Sequence, residues 1–477
     1  MSETLKEKTA KGIFWGGMSN ALQQLLNLVF GIFLARKLSP SEYGMVGMLT
    51  IFSLIASSIQ ESGFTAALAN KKEVTHRDYN AVFWFSILIS GGIYLILFFC
   101  APLIADFYHT PELTPLARYV FIGFVISSLG TAHFAKLFKE MKVKQRTIAT
   151  FTALCISGIV GVTLAYMGFS YWGIATQNIC YILVTTCFFW YYSGWRPTLK
   201  LDFGPIREMI GFSSKILATN IFNHINNNVF SVILGRFYNE HAVGYYNQGN
   251  KWNTMGHNLI TGMVNTVAQP VLVEVKDDKE RQLRVFRKML RFTAFVCFPV
   301  MFGLSLISSE LIVILITEKW LQSAQILSIL CIGGAFLPMT NLCSNLVISK
   351  GKSNIFLWNT VCVSLLQLAA MIALCPFGIE VMLYVYVGIN VLWMLVWHHF
   401  VNRELNYPLY LALLDIANYL ITAAVVMIAV GFTTQYIENI YLRIGAKIIM
   451  AATLYLGIMY VQKNEMLQEI RRMRFRF

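Results

Sequence analysis

Charge is scarce in this sequence. Asp, Glu, Lys and Arg make up 13% of its 477 residues, against 56% hydrophobic. A soluble chain typically carries about 25% charged residues to cover its surface, so a water-soluble globular protein is excluded. Long polar stretches are missing too: no connection between apolar segments exceeds about 20 residues, which leaves little room for a soluble catalytic domain. Carboxylates are fewer than basic groups, 24 against 38, and the net charge is +14. The nine cysteines, among them Cys100, Cys155, Cys180 and Cys187, lie mostly inside apolar runs. They have neither metal-ligand spacing nor an extracellular framework, so they read as small core residues, and no metal or cofactor is expected.

What the chain has is a succession of apolar runs. A helix needs about 20 such residues to cross a ~30 Å hydrocarbon core. Fourteen segments meet that need: 12–34, 43–69, 81–104, 116–137, 147–167, 171–192, 209–235, 243–270, 290–316, 322–349, 355–376, 379–401, 411–432 and 439–462. The expected fold class is therefore an all-α polytopic membrane protein with about 14 transmembrane helices. The opening "MSETLKEKTAKGIFWGG" is basic and then apolar, with no small-residue cleavage site, so its first hydrophobic stretch is expected to stay as a spanning helix.

Basic residues alternate between connections. With the N-terminus inside, 29 Lys and Arg fall on cytoplasmic segments and 5 (Arg36, Lys37, Arg236, Lys319 and Arg443) on the opposite loops. Retention of positive loops in the cytoplasm then puts both termini there. The net charge is accounted for by this insertion signal, and no nucleic-acid partner is needed. The "RRMRFRF" tail suits anionic headgroups as well.

The chain also repeats itself. "SNALQQLLNLVFGIFLARKLSPSEYGM" (19–45) aligns without gaps on "TNIFNHINNNVFSVILGRFYNEHAVGY" (219–245). Asn20 meets Asn220, Asn27 meets Asn227, Arg36 meets Arg236 and Gly44 meets Gly244. Two apolar helices coincide at Leu or Val by chance, but seldom at two Asn, an Arg and a Gly in one register. An even number of spans per copy keeps both copies in the same orientation, which calls for a pseudo-twofold axis along the membrane normal. The expected organisation is a bundle of spans 1–6 in 1–192, a cytoplasmic linker 193–208 and a bundle of spans 7–12 in 209–401. Spans 13–14 follow in 402–462, then a basic cytoplasmic tail, 463–477.

Within the repeat lie two polar stripes. Asn220, Asn223, His224 and Asn227 recur at i, i+3, i+4 and i+7, one helix face, and the first copy has Asn20, Gln23, Gln24 and Asn27 there. Amides near mid-bilayer either glue helices together by hydrogen bonds or line a watery cavity; a matched pair of stripes favours a shared central cavity. Lys251 lies deep in the eighth span, close to His257. Arg36 and Arg236 either anchor the interface or face the outer mouth, where guanidinium forks suit phosphate. Amides offer donors and acceptors to sugar hydroxyls, so the expected substrate is phosphorylated and rich in hydroxyls. Glu61, toward the cytoplasmic end of the second span, and His257 are candidates for coupling to H+ or Na+.

"GIFWGGMSNALQQLLNLVFGIFLARKLSPSEYGMVGM", "YYNQGNKW" and "LITEKWLQSAQILSIL" together resemble the Wzx-type polysaccharide flippases. Their superfamily also holds multidrug extruders and the peptidoglycan lipid flippase. The resemblance implies fourteen helices, alternating access and the bacterial plasma membrane. The substrate it implies is an undecaprenyl-diphosphate-linked oligosaccharide moved to the outer leaflet, in partnership with polysaccharide polymerase machinery, and it carries over no catalytic residues. Two rivals remain. A drug/ion antiporter would want cavity carboxylates, of which Glu61 and Asp415 are nearly the only buried-looking ones. A membrane polymerase or ligase would want a large outer loop, where this chain has the short "DFYHTPELTP".

Overall fold

The structure, a computed structural model, describes residues 22–61 and 63–468; Asn20 and the "RRMRFRF" tail lie outside them. Every regular element among the described residues is a helix. The first is α1, residues 22–37. Then come α2 (Pro40–Glu61), α3 (Phe64–Asn70), α4 (His76–Tyr108), α5 (Leu113–Lys139), α6 (Val143–Tyr166), α7 (Tyr171–Ser193) and α8 (Gly204–Phe237). The remainder are α9 (Glu240–Glu274), α10 (Lys279–Leu306), α11 (Ser308–Ile316), α12 (Leu321–Gly334), α13 (Leu337–Ser349), α14 (Ser353–Leu374), α15 (Ile379–Leu405), α16 (Leu409–Thr434) and α17 (Ile440–Val461).

Eleven helical segments among the described residues are long and apolar enough to cross a membrane. The two longest helices, α8 and α9 at 34 and 35 residues, carry the amides and charges that lower their apolar content. Three spans expected as single helices are interrupted. Residues 43–69 divide into α2 and α3 at Gly63, whose φ of 68° suits a residue without a Cβ. Residues 290–316 divide at Ile307, and 322–349 divide just before Pro338, which has no N–H to continue the ladder. A few helix starts are capped by side chains. Thr75 and Asp78 form a reciprocal capping box on α4, and Asp278 accepts the Arg281 N–H at 2.9 Å on α10.

By packing, the chain divides into two compact units, Met1–Gly244 and Tyr245–Phe477. In the first, α4, α5, α6 and α7 pack together, and α8 lies against α2, α3 and α4. Its core joins Phe64, Leu68, Val82, Phe83 and Ala132 to Trp195 of the 193–208 linker. The linker is docked rather than slack. Asn80 donates to the Lys200 carbonyl at 2.6 Å and accepts the Thr198 N–H at 2.8 Å, while Trp84 Nε1 donates to the Thr198 carbonyl at 2.7 Å. The Arg77 guanidinium and the Gly204 N–H hold the Asp202 carboxyl below the usual carboxylate range.

The first turns of α2 and α9 meet reciprocally. A Cβ on Gly44 would lie 1.8 Å from the Glu240 carbonyl oxygen, and one on Gly244 would lie 1.9 Å from the Pro40 carbonyl oxygen. Pro40 and Glu240 are themselves equivalent under the 200-residue shift, as are the two glycines. The contact joins two segments that align with each other in the sequence.

In the second unit, α10 packs on α12, α16 and α17. Asp415, buried on α16, receives Arg287 Nε at 2.7 Å, Arg291 Nη2 at 2.6 Å and the Tyr407 hydroxyl at 2.6 Å. Burial and that carboxylate push the Tyr407 phenol up. Near the other end of α10, buried Glu310 accepts a hydrogen bond from Lys447 Nζ at 2.6 Å and forms an ion pair with Arg443, whose Nε lies 2.8 Å away.

Candidate functional site

Helix α1 is bare on two opposite faces. Leu25, Val29 and Phe33 are 60%, 43% and 47% exposed along one of them. Gln24 and Asn27, also exposed, fall on the other. An amide facing hydrocarbon would leave donors and acceptors without partners, at several kcal/mol each. The apolar face therefore suits lipid, and the amide face suits water. Gln23, next to it, is partly buried, and its Nε2 reaches Thr150 Oγ1 on α6 at 3.4 Å.

The second stripe is built the same way on α8. Asn227 is exposed, Asn220, Asn223 and His224 are half-buried, and Phe222 is exposed on the opposite side. Asn228 turns back on the helix, its Nδ2 donating to the His224 carbonyl at 2.9 Å. Asn226 points away from the stripe and has a buried, unpaired Oδ1.

The cations differ in how they are held. Arg236 Nη1 donates to the Phe107 carbonyl at 2.7 Å, lies over the Phe107 ring and touches His109 Nε2. It thereby caps the last turn of α4, where a positive charge also meets the helix dipole favourably. Arg36 is exposed. Lys251 is half-buried on α9 and has no carboxylate within ion-pair distance among the described residues. Nearly two and three turns further along α9, His257 Nδ1 and Thr261 Oγ1 are buried without hydrogen-bond partners. Glu61 is exposed at the end of α2.

Reading the sequence by spans missed Arg146. Counted there among cytoplasmic charges, it is a half-buried guanidinium stacked over Phe134 and Phe138, with centroid distances of 4.7 and 5.1 Å. Thr150, the partner of Gln23, follows it by one helical turn and donates to its carbonyl at 3.0 Å. The i, i+4 spacing of Arg146 and Thr150 in the fifth span was the available signal. Chemically, the amide faces and the unpaired Lys251 can hold hydroxyls and an anion, and nothing in them resembles a nucleophile with its base.

The chain matches the family model described as "Polysaccharide biosynthesis protein" over residues 33–325. It is 25% identical over 468 residues to the teichuronic acid biosynthesis protein TuaB of Bacillus subtilis (strain 168), covering 96% of each chain. It is 23% identical over 358 residues to the lipopolysaccharide biosynthesis protein WzxC of Escherichia coli (strain K12), covering 74% of this chain and 72% of that one. Its fold is similar to a solved structure of the lipid II flippase MurJ in an inward closed conformation. The TM-score is 0.80 at 15% identity, covering 95% of this chain and 100% of that one.

Proposed function

Because the chain belongs to the polysaccharide biosynthesis protein family, we propose that it is a flippase for a lipid-linked oligosaccharide. It moves an undecaprenyl-diphosphate-linked glycan from the cytoplasmic to the outer leaflet of the bacterial plasma membrane, by alternating access, for O-antigen, capsule or exopolysaccharide assembly. The observation that carries this reading is the pair of amide faces on α1 and α8, turned away from the apolar faces of the same helices.

The physical task fits those parts. A glycan headgroup is too rich in hydroxyls to cross hydrocarbon, so it needs a wet path whose walls exchange hydrogen bonds with it. Gln24, Asn27, Asn223 and Asn227 offer such exchange, and Lys251 offers an unpaired charge to a diphosphate. The lipid tail needs no path, because the bilayer already solvates it. Net direction comes from a coupled ion or from consumption of the product outside, since binding alone drives nothing. The chain's role is transport, with any polymerase as a separate partner.

Two experiments test this. Deleting the gene and locating the lipid-linked oligosaccharide by leaflet should show build-up on the cytoplasmic side. Normal outer-leaflet delivery of unpolymerised chains would transfer the role to polymerisation or ligation. The double variant Asn223→Leu, Asn227→Leu should insert normally and lose export; unimpaired export would reduce those amides to helix glue.

A further inference from the structure

Away from the amide faces, the first unit holds a second polar space, a half-open cavity of about 220 Å³ among α2, α3, α5 and α7. Gln60, Glu61, Thr65, Ser127, Thr131 and Thr185 line it, and no Lys, Arg or His does. Gln60 is only 2% exposed. Its Nε2 donates to Thr131 Oγ1 at 3.1 Å and to Ser127 Oγ at 3.4 Å. Holding both acceptors through its nitrogen leaves the Gln60 Oε1 as an open acceptor, and the two hydroxyl oxygens keep further lone pairs. Thr65 is 7% exposed, and its Oγ1 is buried with no hydrogen-bond partner. A buried hydroxyl left in that condition is free to bond a water or an ion in the cavity.

Charge completes the case. Glu61, exposed at the end of α2, also lines the cavity and pairs with no basic residue among the described residues. Here the cavity supplies neutral oxygens and one negative charge, with no nitrogen or sulfur ligand. Such a set selects hard cations, and a single carboxylate balances a single positive charge. The helix break at Gly63, between Glu61 and Thr65, has the form that discontinuous membrane helices give to ion sites.

From this geometry we propose that the Gln60–Thr131 cavity is a sodium-binding site. It is built wholly within the first unit and is distinct from the amide faces. Its use as the coupling site rests on the flippase reading above; its existence does not. Sodium there neutralises Glu61 and ties α2, α3, α5 and α7 together, so occupancy can bias the helix break.

The test uses the full-length protein in lipid nanodiscs, without glycan substrate. Thermal unfolding is followed at constant ionic strength as sodium replaces choline, and ²²Na⁺ binding is measured in parallel. Wild type should be stabilised by sodium and should bind ²²Na⁺ saturably. Gln60→Leu, Thr131→Val and Glu61→Gln should each weaken binding by about tenfold or more, roughly one bonded ligand's worth. ²²Na⁺ binding to whichever of these variants folds decides the matter. Equal stabilisation by potassium, stabilisation that follows pH but not sodium, or wild-type binding in the folded variants would overturn the site. Export measured on the same variants separates the two readings: sodium binding with no flipping would leave the site standing and remove the flippase.

Discussion

At the scale of single residues, the glycines divide sharply by what surrounds them. Gly44 and Gly244 have a backbone carbonyl where a Cβ would go, at 1.8 and 1.9 Å, whereas Gly92 has nothing within 4 Å. Backbone on a packed helix start cannot swing aside as a side chain does. Gly44→Ala and Gly244→Ala should each destabilise the protein by about 2 kcal/mol, an overpacking cost that exceeds alanine's helix preference. Gly92→Ala should gain up to ~1 kcal/mol from that same preference. Thermal unfolding of the three variants checks this, and equal midpoints would mean that the close contact relaxes freely. Equivalence of Gly44 and Gly244 was legible in the alignment of 19–45 on 219–245. Their mutual contact was not, because a one-dimensional match says nothing about which copy packs on which. Arg236 teaches the converse: the alignment marked it, and only the geometry shows its guanidinium spent on the Phe107 carbonyl.

At the scale of elements, helices were read well and their interruptions poorly. Apolar length located eleven helical segments among the described residues because the bilayer imposes it. The breaks at Gly63, Ile307 and before Pro338 lie inside stretches long enough to read as single spans. A hydropathy reading averaged over a span does not resolve them. Polar anchors between helices were equally hidden. Asp415 on α16 reads in sequence only as a buried-looking carboxylate; in the structure it fixes Arg287 and Arg291 of α10 and Tyr407 before α16. Asp415→Ala would leave two guanidinium groups facing a buried gap. The expected loss is about 3 kcal/mol, read as a lower thermal midpoint, while Asp415→Asn should retain part of the network. If the alanine variant unfolds where wild type does, the arginines have found water.

At the scale of the whole molecule, charge asymmetry gives an orientation that can be checked. Reporter fusions after the linker 193–208 and at the C-terminus should report the cytoplasm, and a fusion in the 106–115 turn should report the outside. The reverse pattern would invert the proposed direction of transport. Fold class was legible from composition, and the division into bundles was inferred from the repeat. Packing draws its boundary elsewhere, after Gly244, because α8 lies against α2, α3 and α4. Sequence similarity counts copies, whereas packing counts neighbours, and a duplicated chain can satisfy both without the two borders coinciding.

The reciprocal glycines have a consequence for substitution. Most aligned positions of 19–45 and 219–245 differ, whereas these two glycines are the same. Gly44 sits on the residue that Gly244's copy contributes, and Gly244 sits on the residue that Gly44's copy contributes. One patch meeting its like is how a twofold dimer interface is built, here within a single chain. Neither glycine can grow a side chain without displacing the backbone that holds the other. A larger residue at either position is therefore felt at both.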